Sequence, residues 1–149
     1  MIALLREIVD IDSGSYNKPG IDAVGEALRR FLAGHGIAVE TIRQPKHGDC
    51  LRATVPPRGV EAGTGSRSNL GGNVVLMGHR DTVFPDGETA RRPFTVHDGL
   101  AHGPGVADMK AGLVMNCFVL AAFAKFGGAP RWSGCSPATR KSAVPKAAR

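Results

Sequence analysis

The chain has 149 residues, with 19 Lys and Arg against 13 Asp and Glu, and so a formal net charge of +6 at neutral pH. That is one domain's worth of chain. The charge alone would suit a nucleic-acid partner, but five of the six excess charges, Arg131, Arg140, Lys141, Lys146 and Arg149, fall in residues 129–149, which hold no acid. One Trp and one Tyr supply no stacking platform for bases either. The cysteines Cys50, Cys117 and Cys135 form neither a metal-ligand spacing nor an even disulfide framework, which implies a reducing compartment.

Glu7, Asp10 and Asp12 interrupt the first apolar stretch, so it does not read as a secretory signal, and the expected location is cytoplasmic. Ile2, Leu5, Ile8 and Val9 recur at helical spacing and predict a helix over residues 1–9. Residues 12–20 are a loop by composition. Ile21, Val24, Leu28, Phe31 and Leu32 mark the buried face of a second helix that ends at Gly34 or Gly36, with Arg29 and Arg30 off that face. Residues 37–42 and 50–55 alternate with a period of two and predict strands with one wetter side, joined by a turn that holds His47. Residues 56–72 are rich in Pro, Gly and Ser and predict a mobile loop.

Residues 73–77, Asn-Val-Val-Leu-Met, form a continuous apolar run that predicts a strand buried on both faces. Phe94–His97 and Leu100–His102 flank Asp98-Gly99, a pair suited to a type I′ hairpin because Gly accepts the positive φ that turn needs. From Met109 to Phe126 the chain is apolar almost throughout, with 14 residues between Lys110 and Lys125. A membrane span needs about 20. The segment instead predicts a buried helix in which Met109, Met115 and Cys117 pack, closed by Gly127-Gly128.

The chemistry concentrates in two places. His79 leaves the predicted strand at its carboxyl end, where ligands sit in open α/β sheets. His79 and Asp81, two apart on extended backbone, project to one side, so the carboxylate can hold the imidazole while a ring nitrogen binds a metal. Asp108 follows the Gly103-Pro104-Gly105 turn just ahead of the apolar helix, where a helix N-terminus favours a carboxylate. A lone His-x-Asp is most often a surface pair, and a Gly-Pro-Gly turn is most often only a turn. Their order, with Asp108 29 residues after His79, overturns both bland readings.

Residues 78–84, GHRDTVF, and 93–112, PFTVHDGLAHGPGVADMKAG, resemble the zinc-dependent metallopeptidase family of glutamate carboxypeptidase, acetylornithine deacetylase, succinyl-diaminopimelate desuccinylase and the aminoacylases, with glutamate carboxypeptidase nearest in texture. The resemblance runs from Met1 to about Pro130. It implies an α/β three-layer sandwich with a largely parallel central sheet, of the zinc-exopeptidase kind, with only its first part present. It implies a zinc pair, replaceable by cobalt, that cleaves the amide bond of an acylated amino acid or a C-terminal glutamate. By resemblance His79 is a terminal ligand of one metal, Asp81 is the catalytic residue that orients it, Asp108 bridges both metals, and the Asp108–Met109 peptide is cis. The expected partner is a small acylated amino acid or peptide, without nucleic acid or membrane; the parent family is often homodimeric. His97 and His102 are not assigned as ligands, and Tyr16 and Asn17, in a loop near the mouth of the site, receive no role.

From Arg131 the composition changes to RWSGCSPATRKSAVPKAAR, without acid or apolar period, which predicts a disordered tail over 131–149 beside a catalytic part over 1–130. The family carries here a strand and then Gly-Asp-Glu-Glu-x-Gly, with the general base and a further ligand. Reading the third base of each codon with the first two of the next permits Val-Val-Gly-Leu-Phe-Thr-Gly-Asp-Glu-Glu-Ile-Gly from Arg131 onward, if Arg140 is coded AGA or AGG. The expectation is a reading frame lost just before Trp132, the general-base Glu absent, cations at Arg140 and Lys141 in place of the Glu pair, and an inactive chain. The competing expectation is a non-catalytic binding domain derived from the same fold.

Overall fold

The computed structural model describes residues 1–57, 74–127 and 132–136. The predicted loop beyond Pro57, and the tail beyond Ser136, lie outside those residues.

Helix α1 (Ile2–Val9) buries Leu4, Leu5, Ile8 and Val9. Helix α2 (Lys18–Gly34) starts earlier than composition suggests, because the Asn17 side chain accepts a hydrogen bond from the Gly20 amide at 2.9 Å and Pro19 occupies the first turn, where no amide is needed. Ile21, Val24, Leu28 and Leu32 form its buried face as predicted. Strands β1 (Val39–Ile42) and β2 (Cys50–Val55) pair antiparallel, with Val39 opposite Ala53. Strand β3 (Val74–Met77), a single turn of helix α3 (Glu88–Arg91) and the hairpin β4 (Thr95–His97) and β5 (Leu100–His102) follow. Asp98 at φ 52° and Gly99 at φ 74° supply the two left-handed residues of the I′ turn. After an irregular turn at Val106–Lys110, helix α4 (Ala111–Phe126) crosses back over the sheet to strand β6 (Trp132–Ser136).

The sheet order is β1-β2-β6-β3, with β6 antiparallel to β2 and parallel to β3. The α/β class is as expected, but among the described residues the sheet is mixed rather than largely parallel, since only the α4 crossover forces a parallel pair. Helices α1, α2 and α4 share one core with Ala53 and Val55 of the sheet and Phe94 before the hairpin. Two of the three expected layers are therefore built. No described helix lies on the second face, so β3 is not buried on both sides: Val75 and Met77 are 53% and 55% exposed while Leu76 packs inward. For the same reason α4 buries one face only, and Met115, expected in the core, is exposed.

The tail expectation needs a second correction. Residues 132–136 are not loosely attached but fill the slot between β2 and β3, with Gly134 opposite both Ala53 and Leu76. Main-chain ladders ask only for extended backbone, so a sequence without apolar alternation can occupy a slot whose two neighbours are already set. Gly134 has a steric reason as well: a Cβ there would stand 2.8 Å from Leu120 Cδ1 of α4.

Candidate metal centre

β3 and β6 run together and β2 runs against them, so the carboxyl ends of β3 and β6 share one rim with the start of β2. Three segments converge there. The first is Gly78–Thr82, leaving β3. The second is the loop after α1, which joins it through hydrogen bonds from the Thr82 amide to the Ser13 carbonyl at 2.8 Å and from the Ser15 amide to the Thr82 carbonyl at 3.1 Å. The third is the Gly105–Lys110 turn, where Gly105 at φ 75° reverses the chain and the Asp108–Met109 peptide is cis, as the resemblance implied.

His79, Asp81 and Asp108 come together as predicted. His79 Nε2 lies 3.1 Å from Asp108 Oδ1. His79 Nδ1 lies 3.0 Å from the Asp81 carbonyl oxygen and 3.1 Å from its Oδ1. Asp81 is buried, and its Oδ2 accepts a hydrogen bond from Ser15 Oγ at 2.6 Å. With two acceptors facing Nδ1, the proton of a neutral imidazole belongs on that nitrogen, which leaves the Nε2 lone pair for a cation. Asp108, with its side chain 64% exposed, presents its carboxylate to a cleft of about 460 Å³ lined also by Ser15, Tyr16, His47 and Phe84.

This donor set fits a divalent metal. An imidazole nitrogen and a carboxylate oxygen each about 2.1 Å from one tetrahedral zinc stand roughly 3.4 Å apart, and the observed 3.1 Å needs little adjustment. Asp81 Oδ1 is buried without a well-directed donor, the state of a carboxylate whose partner imidazole tightens when its other nitrogen is ligated. Among the described residues no group of three or more His, Cys, Asp or Glu is arranged to hold a metal ion by itself, so His79 and Asp108 would be two ligands of a set that other residues complete. His97 and His102 stack on each other, ring centroids 4.1 Å apart, on the hairpin away from these ligands. Asn17 is spent on its cap and on Asp86 Oδ1 at 2.6 Å.

Three supporting residues escaped sequence reasoning. Ser15, which holds Asp81, sits in a Gly-Ser-Tyr loop that nothing local marks as special. Lys110, 1% exposed, donates from Nζ to the Ile11 carbonyl at 2.8 Å, pinning the Asp108 turn to the end of α1. Burial pushes its pKa down to about 8 against the pull of Asp12 and Asp10. Burial also pushes the Asp12 carboxyl up, but hydrogen bonds from the Gly87 and Thr89 amides and the Lys110 charge outweigh it and hold the group below its usual value. Lys110 was legible as the boundary of an apolar run, not as a buried tether. Arg80, between the two site residues, points the other way into the core.

Residues 75–132 match the model of peptidase family M20/M25/M40. The chain is 31% identical over 129 residues to carboxypeptidase G2 of Pseudomonas sp. (strain RS-16), an alignment that takes in 85% of this chain and 28% of that protein. Human carnosine dipeptidase 1 superposes on 97% of this chain with a TM-score of 0.70 at 16% identity, and the chain covers 32% of it. An M20 family metallo-carboxypeptidase, Sso-CP2 from Sulfolobus solfataricus, superposes on 91% of the chain with a TM-score of 0.67 at 15% identity, with 30% of that structure covered. Over residues 75–132 the chain is thus similar to the M20/M25/M40 peptidases, and its fold is that of the solved metallopeptidases it superposes on. It spans less than a third of the length of the curated relative it matches.

Proposed function

We propose that the chain is the first part of a dizinc metallohydrolase that cleaves the amide bond of an acylated amino acid or a C-terminal glutamate. The observation that carries the reading is the 3.1 Å approach of His79 Nε2 to Asp108 Oδ1 at the carboxyl end of β3, in a chain similar to this family. Lewis acidity toward the scissile carbonyl and a water of lowered pKa are what a zinc pair supplies when bound. His79 and Asp108 would hold the metal. Asp81 keeps the His79 proton on Nδ1, and Ser15 fixes Asp81. Val83 and Phe84 line the same cleft. A general acid–base is still required to carry the proton from water to the leaving amine. No described residue takes that part, and the shifted reading of the codons after Arg131 supplies a Glu pair for it. The chain as printed is therefore inactive, a small-molecule hydrolase fragment of the cytoplasm with no nucleic-acid or membrane partner, from a parent that dimerises.

The test expresses the 149-residue chain beside a version with the frame restored before Trp132, loads each with zinc or cobalt, and assays acyl-glutamates, acetylornithine and succinyl-diaminopimelate. Turnover by the restored chain alone is expected. Comparable turnover by the 149-residue chain refutes the inactivity, and a restored chain inert on every acylated amino acid refutes the hydrolase reading.

One observation favours the alternative of a non-catalytic binding domain: residues 132–136 pair with both β2 and β3 and fill the slot between them. A cooperative unfolding transition of the 149-residue chain, with saturable binding of an acylated amino acid and no turnover, would select it.

A further inference from the structure

The hairpin of β4 and β5 holds a second pair of nitrogen donors. Its two-residue turn, Asp98-Gly99, sets the register with Thr95 opposite His102 and His97 opposite Leu100. Residues two apart on a strand share a face, so His97 lies on the face of Thr95 and therefore of His102, as a diagonal cross-strand pair. There the two rings meet face to face, with centroids 4.1 Å apart and planes 5° from parallel. Both residues are exposed, the His97 side chain to 63%, so packing holds neither ring and each can turn about its soft χ2. They line an open cavity of about 560 Å³ together with Thr95, Arg92, Val106 and Ala107. Val106 and Ala107 line the metal cleft as well, so the two cavities share the turn that carries Asp108.

The separation of the rings suits a shared cation. A metal about 2.1 Å from one nitrogen of each ring, with those nitrogens at about 90° as in a tetragonal copper or nickel site, sets the ring centroids about 4.5 Å apart. A tetrahedral zinc sets them about 5 Å apart. From the observed 4.1 Å the rings have to part by roughly 0.5 to 1 Å and fan open by about 45° each. Two exposed imidazoles can do that without moving the strands. The surrounding charge also permits a cation. Asp98 Oδ2 stands 3.7 Å from His97 Nδ1, and the Arg92 guanidinium is taken up by Glu88 through its Nε and lies 4.9 Å from the centre of the Phe84 ring.

We propose that His97 and His102 chelate a divalent transition-metal cation of the copper, nickel and zinc group, at a site separate from the centre at His79 and Asp108. Each neutral ring gives one nitrogen lone pair, and water from the open cavity fills the remaining positions. The cation clips β4 to β5, the two strands that lead into the turn carrying Asp108.

At 15.6 kDa the chain suits residue-by-residue NMR. The ¹⁵N-labelled 149-residue chain is titrated with copper(II) sulfate, whose unpaired electron erases the signals of nearby amides. His35, at the C-terminal end of α2 with its Nδ1 against the Phe31 carbonyl, serves as the single-imidazole control in the same molecule. The amides of Val96–Ala101 are expected to vanish at much lower copper than those around His35. H97Q and H102Q, at exposed positions, are each expected to raise the copper needed at the hairpin by roughly 100-fold, the gain of a second ligand on a preset scaffold. Either variant shifting it by less than threefold overturns the proposal, as does a hairpin that responds no earlier than His35. D108N is expected to leave the hairpin response in place, and its loss in that variant would assign the copper to the other centre and overturn the proposal. The assay needs no turnover, so it stands apart from the hydrolase reading.

Discussion

Replacing Asp81 with Asn tests the site through a residue that touches no metal. The carboxylate receives Ser15 Oγ at 2.6 Å on Oδ2 and faces His79 Nδ1 with Oδ1 and its own carbonyl. Asn has nearly the same shape but no charge, and it can turn its amide nitrogen toward His79, which invites the tautomer protonated on Nε2. That nitrogen is the one aimed at Asp108, and once protonated it cannot bind a cation. Loss of an orienting carboxylate of this kind lowers metal affinity about 10- to 100-fold, or roughly 1.4 to 2.7 kcal/mol. Calorimetric zinc titration of the 149-residue chain, with Asp81→Asn and Asp108→Asn beside it and circular dichroism to confirm the fold, measures the effect. Asp108→Asn removes a ligand outright and is expected to leave no measurable binding. Zinc affinity in folded Asp81→Asn within twofold of the native value, with Asp108→Asn inert, would refute the orienting role; native affinity in both would remove the metal centre from this place.

Lys110 gives the chain a pH dependence of stability. Below about pH 8 its ammonium is charged in both folded and unfolded chain; between about 8 and the unfolded value of 10.5 only the unfolded chain keeps the proton. Stability therefore rises with pH across that window, by about 3 kcal/mol at most; denaturant midpoints should show a gain in the native chain that Lys110→Met lacks, and parallel curves would refute it. Burial pushes the Cys117 thiol up to about 12, so a maleimide should label Cys117 only after unfolding, as mass spectrometry of the folded chain can check. Val75 and Met77 leave an apolar strip on the open face of an edge strand, and Val75→Thr with Met77→Lys is expected to raise the concentration at which light scattering detects association without lowering the unfolding midpoint.

What was legible in the sequence was whatever local spacing encodes. The buried faces of α1 and α2, strand β2 with its wetter side, and the Asp98-Gly99 turn follow from periodicity and from which residues accept positive φ. His79, Asp81 and Asp108 were legible because each sits at a fixed offset from an element boundary. Burial of β3 was not, because a continuous apolar run states what a strand can tolerate and not whether a second layer is there to cover it. The partners of the site were not legible for a different reason: Ser15 meets Asp81 across 66 residues and Lys110 meets Ile11 across 99, and a Ser in a loop or a Lys beside an apolar run carries no mark of such a meeting. Arg80 was hidden by its neighbours, since the alternation that places His79 and Asp81 in the cleft is the same alternation that sends Arg80 into the core.

Strand β6 shows how little of its own sequence a slot in the sheet requires. Its place between β2 and β3 is fixed by backbone pairing, and the steric demand that residue 134 be small beneath Leu120 is met by Gly134. Cys135 stands opposite Met77 at the rim from which His79 emerges two residues later. The sheet accepts almost any extended segment in that slot, whereas the centre accepts only oxygen or nitrogen donors of the right charge. Backbone pairing and metal binding thus place different demands on neighbouring stretches of chain, and meeting the first says nothing about the second.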